Sequence, residues 1–562
     1  MTVNRLTAVT TFLFPASLLF ALNCAEVAAP PGGEEDRLVP TVTRTSPDNG
    51  SINVPSGQEI TFWFSEGIVR PTATRPVFIS PRQAIPPKLK WKTDRLIITL
   101  ADAFDSNQTY VVTLSAEITD WRRNKMDSTV SIAFSTGEII DSGSVGGFIT
   151  ALGKPKSGIL AGLYELSTDT LEIEYDSIYP NYVTQSATDG SFKFKFLPDK
   201  IFRLIAFEDL NRNERYNPKD EPFAVSDRTI KTGSSIFLDQ LYLEMSEPLK
   251  KELAIASAFY TADGLIKVRL NQKIELDYLK HHLNQITFSS KSAPNRTVTA
   301  QAILESHLDT TSVLTVYPEK MDTGGHVISL MADSSAAPVT FEGLTIGVLK
   351  DKNPPVLIKF SPDNKPHFKE KIDITALFSE PVDKEKTAEG TFLLTTGDEQ
   401  SVKIRSRWID PFHIEFISDS LIDGAAYSMS MAEFEIFDLS GNVLGDSIQS
   451  FGFSVIDVDS LGSISGRITV ELADKMESIK QLTFTRVSGD QSFDIKVPGN
   501  IFTTELPSGK YLMSGYLDEN NNGKRDLGST FPFTFAETFA KSSDTISVRA
   551  RFETAGIEFK FR

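Results

Sequence analysis

Ile60-Thr-Phe-Trp-Phe-Ser-Glu66 alternates along its length, with Ile60, Phe62 and Phe64 all falling on one side. A two-residue period marks a strand with one buried face, whereas a helix would repeat near 3.6 residues. The rhythm continues through Trp91, through Leu96, Ile98 and Leu100, and through the β-branched run from Thr109 to Leu114, until Phe134-Ser-Thr-Gly137 closes the stretch. Pro, Gly, Asn and Asp separate the runs. About seven short strands in roughly 100 residues predict an antiparallel sandwich.

The stretch then returns. Arg44-Thr-Ser-Pro-Asp-Asn49 recurs as Lys359-Phe-Ser-Pro-Asp-Asn364, and Phe62-Trp-Phe-Ser-Glu66 as Ala376-Leu-Phe-Ser-Glu380. Late in each copy, Ile118-Thr-Asp-Trp-Arg-Arg-Asn124 corresponds to Ile436-Phe-Asp-Leu-Ser-Gly-Asn442, and Ala133-Phe-Ser-Thr136 to Gly452-Phe-Ser-Val455. Internal repetition of this kind fixes an architecture before any element is assigned. Between the copies, Ile266-Lys-Val-Arg-Leu-Asn271, Val313-Leu-Thr-Val-Tyr317 and His326-Val-Ile-Ser-Leu330 keep the rhythm with weaker landmarks, as a third, diverged copy would.

A second repeat type follows the first and last sandwiches. Gly143-Ser-Val-Gly-Gly-Phe-Ile149 matches Gly462-Ser-Ile-Ser-Gly-Arg-Ile468, and Asp189-Gly-Ser-Phe192 with Leu197-Pro198 matches Gly499-Asn-Ile-Phe502 with Leu506-Pro507. The expected organisation is a leader at 1–23, a tether at 24–39, and sandwiches at 40–138, 142–247, 250–349, 353–456 and 460–562. All five are expected to be β, with Asp277 to Asn284 a short helical candidate. The connections at 138–142 and 457–461 are short and predict little flexing. Those at Lys250-Lys251 and Asp351 to Pro355 leave more room to bend.

The first repeat type resembles the bacterial Ig-like domain named after S-layer proteins, through its Ser-Pro-Asp-Asn opening, Phe-Ser-Glu strand end, Asp-x-x-x-Asn turn and Phe-Ser-Thr-Gly finish. The second type, with its Gly-x-Val/Ile-x-Gly opening and Leu-Pro hairpin, resembles the carboxypeptidase-regulatory or prealbumin-like sandwich. As a whole the chain is similar to exported Ig-like lipoproteins of Bacteroidetes-type bacteria. That resemblance implies an all-β tandem array exported to the cell envelope, with an outer-membrane location facing periplasm or surface. It says little about activity, because such modules serve as spacers, adhesive arms and ligand platforms alike.

At the N-terminus, Arg5 precedes a mainly apolar stretch from Leu6 to Leu22, interrupted by Pro15 and followed by Cys24, the single cysteine. A basic start, an apolar core and a polar break describe an export signal, too short to anchor the chain as a spanning helix. The arrangement resembles the bacterial lipoprotein signal, which implies lipidation of Cys24 and a mature chain that begins there and meets the membrane through its lipid. Ala21 and Asn23 stand where such signals usually carry Leu and a small residue. The other reading is an ordinary secretory signal cleaved nearby, with Cys24 a spare thiol. Pro30-Pro-Gly-Gly33 then reads as a flexible tether.

With one cysteine, an exported chain of this length holds its domains by packing rather than by intrachain disulfides. A formal net charge of -17 and a pI near 5.0 argue against nucleic acid as a partner, since phosphate binding needs clustered Lys and Arg. An envelope protein or a glycan remains open as partner.

Two Asx-rich loops are the best site candidates. In Asp518-Glu-Asn-Asn-Asn-Gly-Lys-Arg-Asp526, oxygen side chains fall at positions one (Asp518), three (Asn520), five (Asn522) and nine (Asp526), with the Lys524 carbonyl at position seven. That spacing begins a calcium loop. Asp209, Asn211, Asn213, Arg215 and Asn217 repeat it in the earlier module, with Asp220 at position twelve, where the later loop has Ser529. The alternative is a structural turn, because Asn and Asp tolerate left-handed backbone and bond their own chain.

Catalysis finds little to build on. His281, His282, His307, His326, His367 and His413 are scattered, without a His-Glu-x-x-His or Gly-x-Ser-x-Gly pattern. Phe64-Ser-Glu66 and Phe378-Ser-Glu380 read as strand ends whose Glu pairs locally. Trp63, Trp91 and Trp408 read as packing residues, leaving Trp121-Arg-Arg123 as the exposed aromatic contact. The reading is therefore of a non-enzymatic, lipid-anchored arm for display, adhesion or spacing. A carbohydrate- or peptide-binding lipoprotein is the alternative, and an envelope hydrolase a weaker one.

Overall fold

Ile60–Phe64 forms the strand its alternation predicts: Ile60, Phe62 and Phe64 are buried, while Thr61 and Trp63 are half-exposed. The computed structural model describes residues 37–562 except 71–75, 84, 168–171, 234–236, 249–251, 305–309, 333–336, 388–390, 432–435, 445–449 and 490. The leader, Cys24, His307 and the Lys250-Lys251 junction lie outside the described residues.

The chain is all-β, in tandem sandwich modules. Among the described residues, helix is confined to Asp277–His281 and four single 3-10 turns. In the first unit, a sheet ordered Val42–Ser46, Ile60–Phe64, Arg95–Thr99, Lys88–Trp91 packs on a sheet of Val77–Ser80, Thr109–Leu114 and Val130–Ser135. Phe62, Leu96 and Ile98 meet Tyr110, Val112 and Phe134 between them. The fourth unit repeats the first sheet as Leu357–Ser361, Ile374–Phe378, His413–Ile417 and Arg405–Trp408. Even the irregularity recurs, since the register slips between Val42 and Arg44 and again between Leu357 and Lys359. The Asp-x-x-x-Asn landmark is a closed turn in both copies: Asp120 accepts from the Asn124 backbone N–H and amide, as Asp438 does from Asn442.

The glycines of the second repeat type have a steric cause. Gly143–Ala151 pairs parallel with Phe237–Glu244, and Leu461–Val470 pairs parallel with Glu553–Phe561. Each pairing slips by one residue, between Val145 and Gly147 and between Ile464 and Gly466. At these bulges a Cβ on Gly147 would collide with the Leu241 carbonyl, and one on Gly466 with the Ile557 carbonyl. Glycine is what permits the close approach.

The third unit differs from the first and fourth. Its strands form one sheet in the order Ile255–Tyr260, Ile266–Glu275, Thr310–Pro318, Thr297–Ile303, Ile286–Ser290, Gly324–Leu330, Val339–Ile346. Four register slips bend the sheet until its first and last strands lie together around one core. Bulges are the means by which a sheet curves onto itself.

The units do not string out as an open arm. Leu265 and Ala302 of the third pack with Leu377 and Phe412 of the fourth. Phe368 of the fourth stacks edge-on against Phe493 of the fifth at 5.7 Å. The fifth then returns to the second: Tyr216 and Thr530, both buried, share a hydrogen bond of 3.2 Å, and Arg203 lies 3.7 Å from the Phe533 ring centre. Lys475, 7% exposed, donates to the Asp227 carbonyl at 2.9 Å and pairs with Glu519 at 2.7 Å. Units two to five thus close a ring, and the first hangs on the second through Arg82, which pairs with Glu214 and stacks on Tyr179.

Two outcomes test this description. Gly466→Ala should destabilise the full chain by about 1–3 kcal/mol in denaturant unfolding, the usual cost of overpacking, while Gly499→Ala, which meets nothing within 4 Å, should change it little. Combining Phe533→Ala with Lys475→Ala should enlarge the particle in small-angle X-ray scattering; an unchanged radius of gyration would mean that these contacts do not hold the ring closed.

Candidate functional site

Strand Ile201–Phe207 runs into the first Asx loop and strand Gly509–Asp518 into the second. In the second, buried Asp518 accepts from the backbone N–H groups of Asn522 and Gly523, both at 3.0 Å, and from Gln481 at 3.1 Å. Asn520 accepts from Asn522 N–H and Asn522 from Lys524 N–H, so each oxygen at an odd position tightens the turn ahead of it. The first loop is built the same way: Asp209 accepts from Asn213 and Glu214, Asn211 from Asn213, and Asn213 from Arg215. Glu214 adopts the left-handed backbone that Gly523 takes in the later copy.

The remaining candidates are placed differently. Lys524 reaches out to Glu275 of the third unit at 3.0 Å, and Arg215 faces Tyr179 at 5.7 Å. Asp526 accepts from the Asn520 and Asn522 amides. Asn217 donates its N–H to Glu221, whereas Asp220 is exposed.

Sequence reasoning missed a second acid at each loop. Glu221 accepts from the N–H groups of Leu210 and Asn217, and Glu537 from those of Glu519 and Asp526. Each carboxylate clamps the loop's two ends, and burial pushes both carboxyls up. No fixed spacing announces them, because the connection after the loop is longer in the fifth unit. The ends of the loops and the segments that follow, which carry Tyr216, Ser226, Asp227, Arg525, Thr530 and Phe533, are the ones that meet across the ring closure.

A different acidic group lies between the third and fourth units. Asp351 comes from the connection, Glu380 from the Phe-Ser-Glu strand end and Asp438 from the Asp-x-x-x-Asn turn, and one oxygen of each lies within 4.8 Å of the others. All three are buried. Asp438 is held by Asn442, and Asp351 accepts from Asn353 N–H at 3.0 Å. Glu380 was expected to pair locally; among the described residues, no Lys, Arg or His forms an ion pair with it. Its carboxyl is pushed up to about 8, first by burial, then by the charges of Asp351, Asp438 and Asp263. The recurrence of Phe-Ser-Glu and Asp-x-x-x-Asn was visible in the sequence, but that the two motifs meet was not.

Elsewhere, an open cleft of about 480 Å³ between the first two units is lined by Phe78, Arg82, Tyr179 and Glu214, with the Arg82–Glu214 pair on its wall. Trp121 is 69% exposed, its indole lying over Gly67. His281 and His282 sit over the backbone carbonyls of Asp277 and Tyr278, and His367 pairs with Asp363. Glu172 and Glu174 lie in an irregular segment.

Residues 36–136 match the family described as Bacterial Ig-like domain, a match that spans the first unit. No curated protein matches the chain. Among solved structures, the TIE protein of Bacillus anthracis is 8% identical, covering 95% of this chain and 76% of its own, with a TM-score of 0.14. Domains 1–6 of the surface layer protein SbsC are 12% identical, covering 92% and 68%, with a TM-score of 0.14. The major pilin subunit of Bacillus cereus is 9% identical, covering 75% and 99%, with a TM-score of 0.13.

The Glu380 shift has a definite sign. Its folded pKa of about 8 lies above the ordinary 4.5, so its contribution to stability is complete below pH 4.5 and is lost as pH rises through about 8. In chelator, the melting temperature of the full chain should fall from pH 5 to pH 8, and Glu380→Gln should flatten that fall; equal slopes would refute it. Asp518→Ala, which strands two loop N–H groups, should cost about 1–3 kcal/mol in unfolding experiments.

Proposed function

We propose that the chain is a non-catalytic, lipid-anchored protein of the bacterial cell envelope, a folded-back scaffold that displays or spaces a binding surface. One observation carries the reading: four of the five units close on one another through specific side chains, so the chain is built to hold a shape. The Bacterial Ig-like match in the first unit and the leader ending at Cys24 support export and surface duty. Lipidation at Cys24 and a place in the outer membrane belong to the proposal. On this reading the ring-closing segments at the Asx loops are structural, and the first unit, attached among the described residues to the second, projects as the contact module.

A second reading, recognition of a glycan or peptide, is favoured by the loop that presents Trp121. Asp120 fixes that loop by accepting from Arg122 and Asn124 N–H, and Trp121, Arg122 and Arg123 are all exposed. A rigid aromatic with flanking cations suits the apolar face of a sugar ring or a peptide side chain.

Labelled palmitate should be incorporated into the protein in its host and should be absent from Cys24→Ala, which should move to the soluble fraction. Membrane attachment that survives the substitution would overturn the anchor. Retention on immobilised cell-wall glycan that falls at least fivefold in Trp121→Ala would favour the second reading.

A further inference from the structure

We propose that Asp351, Glu380 and Asp438, with Asp263 of the third unit adding its charge from across the junction, bind one calcium-class divalent cation that locks the third unit to the fourth.

Three neighbouring carboxylates would not by themselves make a site. What distinguishes these is Glu380, which among the described residues is left without a donor while Asp351 and Asp438 are held by Asn353 and Asn442. Glu380 is 5% exposed, and among the described residues no N–H or O–H group donates to its carboxyl; its hydrogen-bonding neighbour is another acid, Asp351. Across the junction, one Asp263 carboxylate oxygen is buried with no hydrogen-bond partner, and its charge acts on Glu380. Buried polar atoms are nearly always partnered, and a buried charge ordinarily has a counter-ion or a metal. No Lys, Arg or His among the described residues ion-pairs with any of the four. Three carboxylates therefore converge with oxygen lone pairs to spare, and the charge of Asp263 adds to theirs.

The donor set selects the ion. It is all oxygen, without Cys or His, which disfavours zinc and other softer metals. Calcium accepts six to eight oxygens in flexible geometry, with carboxylates binding through one or two atoms, while magnesium demands near-octahedral order and keeps its waters. Asn442, whose amide lies 3.5 Å from Asp351 and 2.7 Å from Asp438, already holds two of the acids in place.

The position gives the ion a purpose. Asp351 belongs to the connection, Asp263 to the turn between Ile255–Tyr260 and Ile266–Glu275 of the third unit, and Glu380 and Asp438 to the fourth. Leu265, two residues from Asp263, packs with Leu377, three residues from Glu380. A cation here relieves repulsion at the Asp351–Pro355 junction, which otherwise has room to bend.

Calcium alone, titrated calorimetrically into the chelator-treated full chain, should bind saturably, and 1 mM should raise the melting temperature by several degrees. Glu380→Gln and Asp438→Asn should each weaken binding at least tenfold, and Asp263→Asn by a smaller factor. Asp518→Ala and Asp209→Ala should leave the junction signal intact, which separates this site from the Asx loops. Folding is controlled internally: in chelator at pH 8, Glu380→Gln should melt no lower than the parent chain, since it removes a repelled charge, yet should not respond to calcium. Absence of any calcium shift in the parent chain, or a shift that Glu380→Gln leaves unchanged, would overturn the proposal.

Discussion

The central sheet of the second unit is buried on both faces, and much of the architecture answers that constraint. In Ile201–Phe207 every residue but the first is buried, and Leu160–Leu166 is buried at all positions but Glu165. One face, with Leu163, Phe202 and Leu204, meets the unit's own partner sheet. The other, with Leu160, Tyr164, Ile205 and Phe207, needs a second cover. At roughly 25 cal/mol per Å² of apolar surface, leaving such a face in water would cost several kcal/mol. Tyr175, Tyr216 and Phe223 cover it from within the unit, and Phe533 completes the cover from the fifth.

That cover explains the Asx loops. Each makes a tight turn whose odd-numbered side chains accept the N–H groups ahead, and a buried Glu ties its ends together. A rigid turn then delivers Tyr216 on one side and Thr530 and Phe533 on the other to fixed places. The charges at the closure follow the same logic. Buried Lys475 is tolerated because the Asp227 carbonyl and the Thr538 hydroxyl accept hydrogen bonds from its ammonium, which also pairs with Glu519. Arg525, stacked on Phe539 and donating to the Tyr242 carbonyl, is buried deeply enough that its pKa drops to about 10.

The junction between the third and fourth units is the opposite case. There acids meet acids, with apolar packing alongside and, among the described residues, no cation from the protein. A closure held by Lys475 and Arg525 is complete in itself, whereas one lined by Asp263, Asp351, Glu380 and Asp438 is balanced only by protons or by an added ion. The two kinds of contact give one ring a permanent seam and a conditional one.

By itself the sequence determined what depends on neighbours along the chain. Alternation at Ile60, Phe62 and Phe64 settled strand and buried face, because side-chain direction flips with each residue. Recurring Phe-Ser-Glu, Asp-x-x-x-Asn and Gly-x-Val/Ile-x-Gly motifs marked the repeated units, because turns and bulges are specified by a few adjacent residues. What covers the second face was decided only by the tertiary structure. Tyr216 meeting Thr530, Glu221 and Glu537 closing loops of unequal length, and Asp263 approaching Glu380 all join residues with no fixed separation. Such contacts are set by how finished sheets dock, and that depends on surface shape and burial rather than on any local pattern in the chain.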